Sequence, residues 1–121
     1  MDPAHRASVL DQDVIATLKD LGGEDEPELF MELVDLFIDD TRSQLDQVSA
    51  ALTRGDTEEM RRRAHTLKSS CANVGAVHMA QSCFQMEQLA VAAELHDIEG
   101  LLAKVLAEFD QVKAALLSEK S

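Results

Sequence analysis

Residues 52–76 read LTRGDTEEMRRRAHTLKSSCANVGA, and the two junctions inside this stretch decide the fold. Gly55 stands where a helix arriving through Leu45, Val48 and Leu52 needs a left-handed residue to end it. Asp56, with Glu59 three residues on, is a capping-box start in its Asp form. From there Met60, Ala64, Leu67, Cys71 and Val74 keep the three- and four-residue steps of one helix face, and Gly75 closes the run. Two helices joined by so short a corner run antiparallel and pack side by side.

The flanks extend the same pattern. Upstream, Val9 to Leu18 is short and weakly amphipathic, and LGGEDEP at 21–27 interrupts it. Pro27 is expected in the first turn of a long helix carrying Leu29, Leu33 and Phe37, where proline is tolerated and acidic neighbours suit the helix dipole. Downstream, a helix is expected from Val77 to Glu94 with Met79, Cys83, Met86, Ala90 and Ala93 inward. Asp97 is expected to cap a last helix through Ile98, Leu101, Leu102, Val105, Phe109, Val112 and Leu116. There are two prolines, no Asn-Gly or Asp-Gly hairpin signal and no alternating strand pattern. The expected fold is all-α: an antiparallel up-down four-helix bundle over about residues 27–118, with a short additional N-terminal helix as a lid on one end. The 121 residues make a single domain, with 1–8, including His5, expected as a disordered tail.

Composition excludes several classes of function. A net charge of −12 with 11 basic residues lacks the basic stripe that nucleic acid requires, and an anionic membrane surface would repel most of the molecule. No apolar run approaches the ~20 residues of a membrane span, and MDPAHRASVL lacks a signal-peptide layout, so a cytoplasmic chain is expected. Cys71 and Cys83 read as buried thiols of a reducing compartment. A zinc or haem bundle needs several inward ligands, whereas the inner stripes offer only Met and Cys at scattered levels; no metal or cofactor is expected. Nothing supplies phosphate-binding glycines or a Walker-type lysine, so self-phosphorylation from ATP is not expected.

Charge is segregated. From Met60 through Met86 there are four basic residues, Arg61, Arg62, Arg63 and Lys68, and no acidic one, which leaves −16 on the rest of the chain. With the inner stripe fixed, Arg61, His65, Lys68 and Ala72 share an adjacent face, and Ser69 and Ala72 are too small to cover it. An accessible imidazole with a cation one turn to either side suits phosphoryl transfer: neutral imidazole is a nucleophile, and cations stabilise the transferring group. A basic helix face is also compatible with simple solvation. His78 and His96 read as solvent-facing, and Met79 and Met86 as gap fillers.

The stretch AHTLKSSCANVGA (64–76) followed by CFQMEQLA (83–90) resembles the histidine-containing phosphotransfer (HPt) domains of phosphorelays. Their motif runs His-x-Leu-Lys-Gly-Ser-Ser, an apolar residue and Gly, then a Cys and a helix ending in a polar residue that faces the histidine. The resemblance implies that His65 is phosphorylated on Nε2, that Lys68 is the cation beside the phosphoryl group, and that Ser69 and Ser70 are the small flanking residues. It makes Gly75 the turn into the next helix and Glu87 the hydrogen-bond partner of the imidazole; from sequence alone Glu87 also reads as an ordinary surface carboxylate. Ser69 departs from the motif's glycine.

The implied partners are receiver domains of a hybrid histidine kinase or a response regulator. They would dock over Arg61, Arg62, Ser69, Ala72 and Gly75 and bring Mg²⁺ with them. The resemblance implies a phosphohistidine carrier; it is expected to lack autokinase activity and to be a monomer. A receiver-binding adaptor without chemistry and a plain helical scaffold are the alternatives.

Overall fold

The computed structural model describes residues 9–119, all of whose regular structure is helical. The expected tail at 1–8 and His5 lie outside the described residues. Five helices follow in order: α1 (Gln12–Asp20), α2 (Leu29–Arg54), α3 (Thr57–Asn73), α4 (Val77–Val91) and α5 (Leu95–Glu119). The four long helices pack cyclically, α3 between α2 and α4, α5 between α4 and α2, which is the antiparallel up-down bundle expected.

The α2–α3 corner is built as its residues dictate. Gly55 adopts φ +69°, and the Asp56 N–H reaches back to the Ala51 carbonyl at 2.9 Å. Asp56 Oδ1 accepts from the Glu59 N–H at 3.1 Å. The reciprocal arm of the capping box does not form: the Asp56 N–H already serves the preceding helix, and the Glu59 carboxylate pairs with Arg62 and Arg63.

The core takes Met60, Ala64, Leu67 and Cys71 from α3, Met79, Cys83, Met86 and Ala90 from α4, and Ile98, Leu102, Val105, Phe109, Val112 and Leu116 from α5. Each fully buried large side chain contributes about 1.5–3 kcal/mol relative to exposure. In α2 the buried face is Phe30, Val34, Phe37, Ile38, Thr41, Leu45, Val48 and Ala51, while Leu29, Leu33 and Leu52 sit half-buried at its edges. A 26-residue helix that packs on both α3 and α5 needs a broader face than one stripe, and the first turns rotate by a residue to bring Phe30 and Val34 inward.

Around α2, α4 and α5, three boundaries differ from the sequence reading. Pro27 lies in a turn before α2 rather than in its first turn, because the Leu29 N–H bonds the Glu26 carbonyl at 3.1 Å and regular helix begins only at Leu29. α4 ends at Val91, not Glu94: Ala93 is exposed with φ +57°, and the Glu94 N–H returns to the Leu89 carbonyl at 2.9 Å. α5 consequently starts at Leu95, with Asp97 inside its first turn rather than at the cap.

α1 closes one end of the bundle, starting at Gln12 under an Asp11 cap rather than at Val9. Leu10 and Ile15 are buried in the common core. The Asp11 N–H donates to the Gly75 carbonyl at 2.7 Å, and Lys19 Nζ pairs with Glu119 at 2.7 Å. Hydrogen bonding from Lys19 outweighs burial and holds the Glu119 carboxyl below its ordinary 4.5. A carboxylate lowered on folding stabilises the fold above its unfolded pKa, and that contribution disappears as pH falls through the folded value. Thermal melts should therefore show stability dropping below about pH 4.5, with Glu119→Gln contributing a loss of no more than about 1 kcal/mol at pH 7 and a shallower acid limb. An unchanged acid limb in the variant would remove Glu119 from the account.

Candidate functional site

α3 and α4 form a close antiparallel pair, and their shared outer groove carries the site. Because Ala64 and Leu67 are wholly buried, helical geometry turns His65 and Lys68 toward the groove. On α4 the buried Cys83, Met86 and Ala90 likewise turn Glu87 to the groove edge. The side chains of His65, Lys68 and Glu87 are 56%, 31% and 16% exposed, so the imidazole is the open member and the carboxylate the sheltered one.

One carboxylate serves both partners. His65 Nδ1 lies 2.9 Å from Glu87 Oε2, and Lys68 Nζ donates to Glu87 Oε1 at 3.3 Å. Burial pushes the Glu87 carboxyl up, but the hydrogen bonds from His65 and Lys68 and the charge of Lys68 outweigh it and hold it below the ordinary value. Glu87 is therefore ionised at neutral pH and acts as an acceptor. With Nδ1 carrying the proton, the ring donates to Oε2, which leaves the Nε2 lone pair facing solvent, the orienting logic of a carboxylate–imidazole pair.

The basic residues are more engaged than their count suggests. Arg61 pairs with Glu58 at 2.6 Å, Arg62 with Glu59, and Arg63 with Glu59 at 2.6 Å and Gln44 at 3.3 Å. Hydrogen bonding and the charge of Arg61 hold Glu58 below its ordinary pKa; Arg63, then Arg62, do the same for Glu59 against burial. Three of the four positive charges in the segment are thus paired within the same helix, by two carboxylates.

Ser69 and Ala72 are exposed along the face beyond His65, as expected, and Ser70 is half-buried. Gly75 is placed elsewhere: it is buried, with φ +79°, beneath Asp11 and Val14, so it shapes the α3–α4 turn and seats α1 rather than lining an open surface. Cys71 and Cys83 are free and buried. The neighbouring Cys83 and burial raise the Cys71 thiol, which keeps it protonated and inert. His78 and His96 are exposed and apart from the groove.

Phe84 escaped the sequence reading. It is 42% exposed, and Lys68 Nζ stands 5.2 Å from its ring centroid. The available signal was register: Phe84 falls outside the Met79–Cys83–Met86–Ala90 stripe and one turn before Glu87.

The profile of the Hpt domain family matches residues 32–115. The crystal structure of histidine-containing phosphotransfer protein B (HptB) from Pseudomonas aeruginosa PAO1 superposes with a TM-score of 0.85 at 33% identity, over 94% of this chain and 96% of that one. The sensor protein TorS of Escherichia coli (strain K12) is 38% identical over 60 residues, half of this chain. The match spans only 7% of that sensor's length.

Proposed function

The chain belongs to the Hpt domain family, whose role is phosphotransfer in two-component signalling, and from that premise we propose that His65 accepts a phosphoryl group from a receiver aspartyl phosphate and passes it to another receiver. The observation that carries this reading is the Glu87 carboxylate bound to His65 Nδ1 at 2.9 Å, which directs the lone pair of Nε2 outward. In the forward step Nε2 attacks phosphorus, the N–P bond forms, and the P–O bond to the donor aspartate breaks to release its carboxylate. The ring becomes positively charged, and Glu87 stabilises that charge from the Nδ1 side. The return step to a second aspartate reverses each bond.

Lys68 stabilises the transferring oxygens, and Mg²⁺ belongs to the receiver, whose acidic pocket supplies most of the catalysis. The chain carries the group without autokinase chemistry and works as a cytoplasmic monomer. Ser69 and Ala72 leave the approach to His65 open, and Arg61 and Arg62 form its rim. The test is incubation with a phosphorylated receiver: acid-labile, base-stable label should appear on this chain. Tight binding with no transferred label would make it an adaptor instead.

Two further outcomes follow from the groove. Lys68→Ala should slow transfer at least tenfold, while stability falls by only about 1 kcal/mol, the worth of a partly exposed ion pair and ring contact. A large drop in melting temperature with normal transfer would make Lys68 structural. Replacing Arg61, Arg62 and Arg63 together with Gln should lower the association rate with a receiver severalfold at low ionic strength and flatten its salt dependence, since exposed charges act mainly on encounter and are screened beyond ~8 Å at physiological salt. Stopped-flow binding across a salt series measures this, and a wild-type rate and slope would reduce the arginines to a solvated face.

A further inference from the structure

On the reading of His65 as phosphoryl carrier, we propose that Phe84 is a positioning residue: its ring holds the Lys68 ammonium against Glu87, so that one carboxylate is divided between the lysine and the imidazole. Lys68 has a long, flexible stem, and fixing it costs rotamer freedom that a single partly exposed ion pair offsets poorly. Here the ammonium has two anchors on α4 one turn apart, the Glu87 oxygen at 3.3 Å and the Phe84 ring at 5.2 Å. Phe84 is out of register with the buried stripe of α4, so core packing does not account for its position, and its neighbours Gln81, Gln85 and Gln88 are polar.

The division matters to the chemistry. A carboxylate given wholly to the imidazole would draw the Nδ1 proton more strongly and would leave the ammonium free to wander from the groove. Sharing keeps both the imidazole and the cation in place before a partner arrives, a preorganisation the transferring group does not then have to supply. The charged groups that reach Glu87 come from α3: His65, Lys68 and, at longer range, Arg61. Among the described residues α5, the other helix packed on α4, sends none within ion-pair distance.

Titration of the Glu87 side-chain carboxyl by ¹³C NMR, assigned with Glu87→Gln, tests the clamp without requiring transfer. Phe84→Leu should raise the Glu87 titration on the order of 0.3 pH unit by loosening Lys68, Lys68→Met should raise it further, and Phe84→Tyr, which keeps the ring face, should leave it at the wild-type value. In the Lys68→Met background Phe84→Leu should add nothing, because the ring acts through the ammonium. An unchanged titration in Phe84→Leu, or an equal shift with Lys68 already removed, overturns the proposal. Transfer from a phosphorylated receiver should slow in Phe84→Leu and slow no further when Phe84→Leu is added to Lys68→Ala. If the wild type accepts no phosphoryl group, the carrier reading fails, and the Glu87 titration still decides whether Phe84 holds Lys68.

Discussion

His65→Gln is expected to lose phosphoryl acceptance completely while melting within about 1 kcal/mol of the wild type. His65 is the only described histidine with a carboxylate on its ring nitrogen, and its side chain is 56% exposed, so little packing is lost on substitution. Gln lacks an imidazole nitrogen nucleophile, and the lost step is therefore the formation of the N–P bond rather than docking. Two measurements separate these: label transfer from a phosphorylated receiver, and affinity for the unphosphorylated one. Transfer should fall to background with affinity kept within a fewfold. Equal labelling of the variant would move the phosphorylated residue elsewhere in the chain.

Gly75→Ala is expected to have the largest effect on stability, about 2–3 kcal/mol, from two causes at one atom. The residue sits at φ +79°, where a side chain is strained whatever the space. Its added Cβ would also stand 3.0 Å from the Asp11 carbonyl oxygen, 3.1 Å from the Asp11 nitrogen and 3.2 Å from Val14 Cβ, so α1 must lift or the turn must shift. Lifting α1 stretches the 2.7 Å bond from the Asp11 N–H to the Gly75 carbonyl and exposes Leu10 and Ile15. Urea denaturation should show a lower midpoint, and hydrogen exchange should quicken first across α1. A variant of native stability with α1 still protected would show that the turn relaxes freely.

How legible the chain was depended on whether a boundary had a chemical marker. The α2–α3 corner was readable because glycine and aspartate each leave a signature, and the inner face of α3 was readable because its apolar spacing is unbroken. The α4–α5 corner was not, because alanine fills the left-handed position and continued the helical pattern on paper. Two residues at the start of α2 were misplaced because Leu29 and Leu33 fit one stripe as well as Phe30 and Val34 do; only the neighbouring helices choose between them. At the site, His65 and Lys68 followed from spacing and charge, whereas Glu87 rested on family resemblance, since no periodicity within α4 says which residue of α3 it will meet. The arginine pairing was available in the i, i+3 and i, i+4 spacing of Glu58 and Glu59, and the net charge of the segment concealed it.

The left-handed alanine at the end of α4 bears on motion as well as on boundaries. Holding a non-glycine residue at φ +57° costs on the order of 1 kcal/mol, and helix ends are where opening begins. Glu87 lies four residues before the last residue of α4, so its own carbonyl belongs to that final turn. The buried Met86 and Ala90 anchor one side of the turn, while Val91 and Ala92 are exposed on the other. The carboxylate that hydrogen-bonds the imidazole thus stands one turn before a strained helix end, which the Glu94 N–H closes by returning to the Leu89 carbonyl at 2.9 Å. That closure keeps Glu87 in register with His65 and Lys68, which stand in mid-helix on α3.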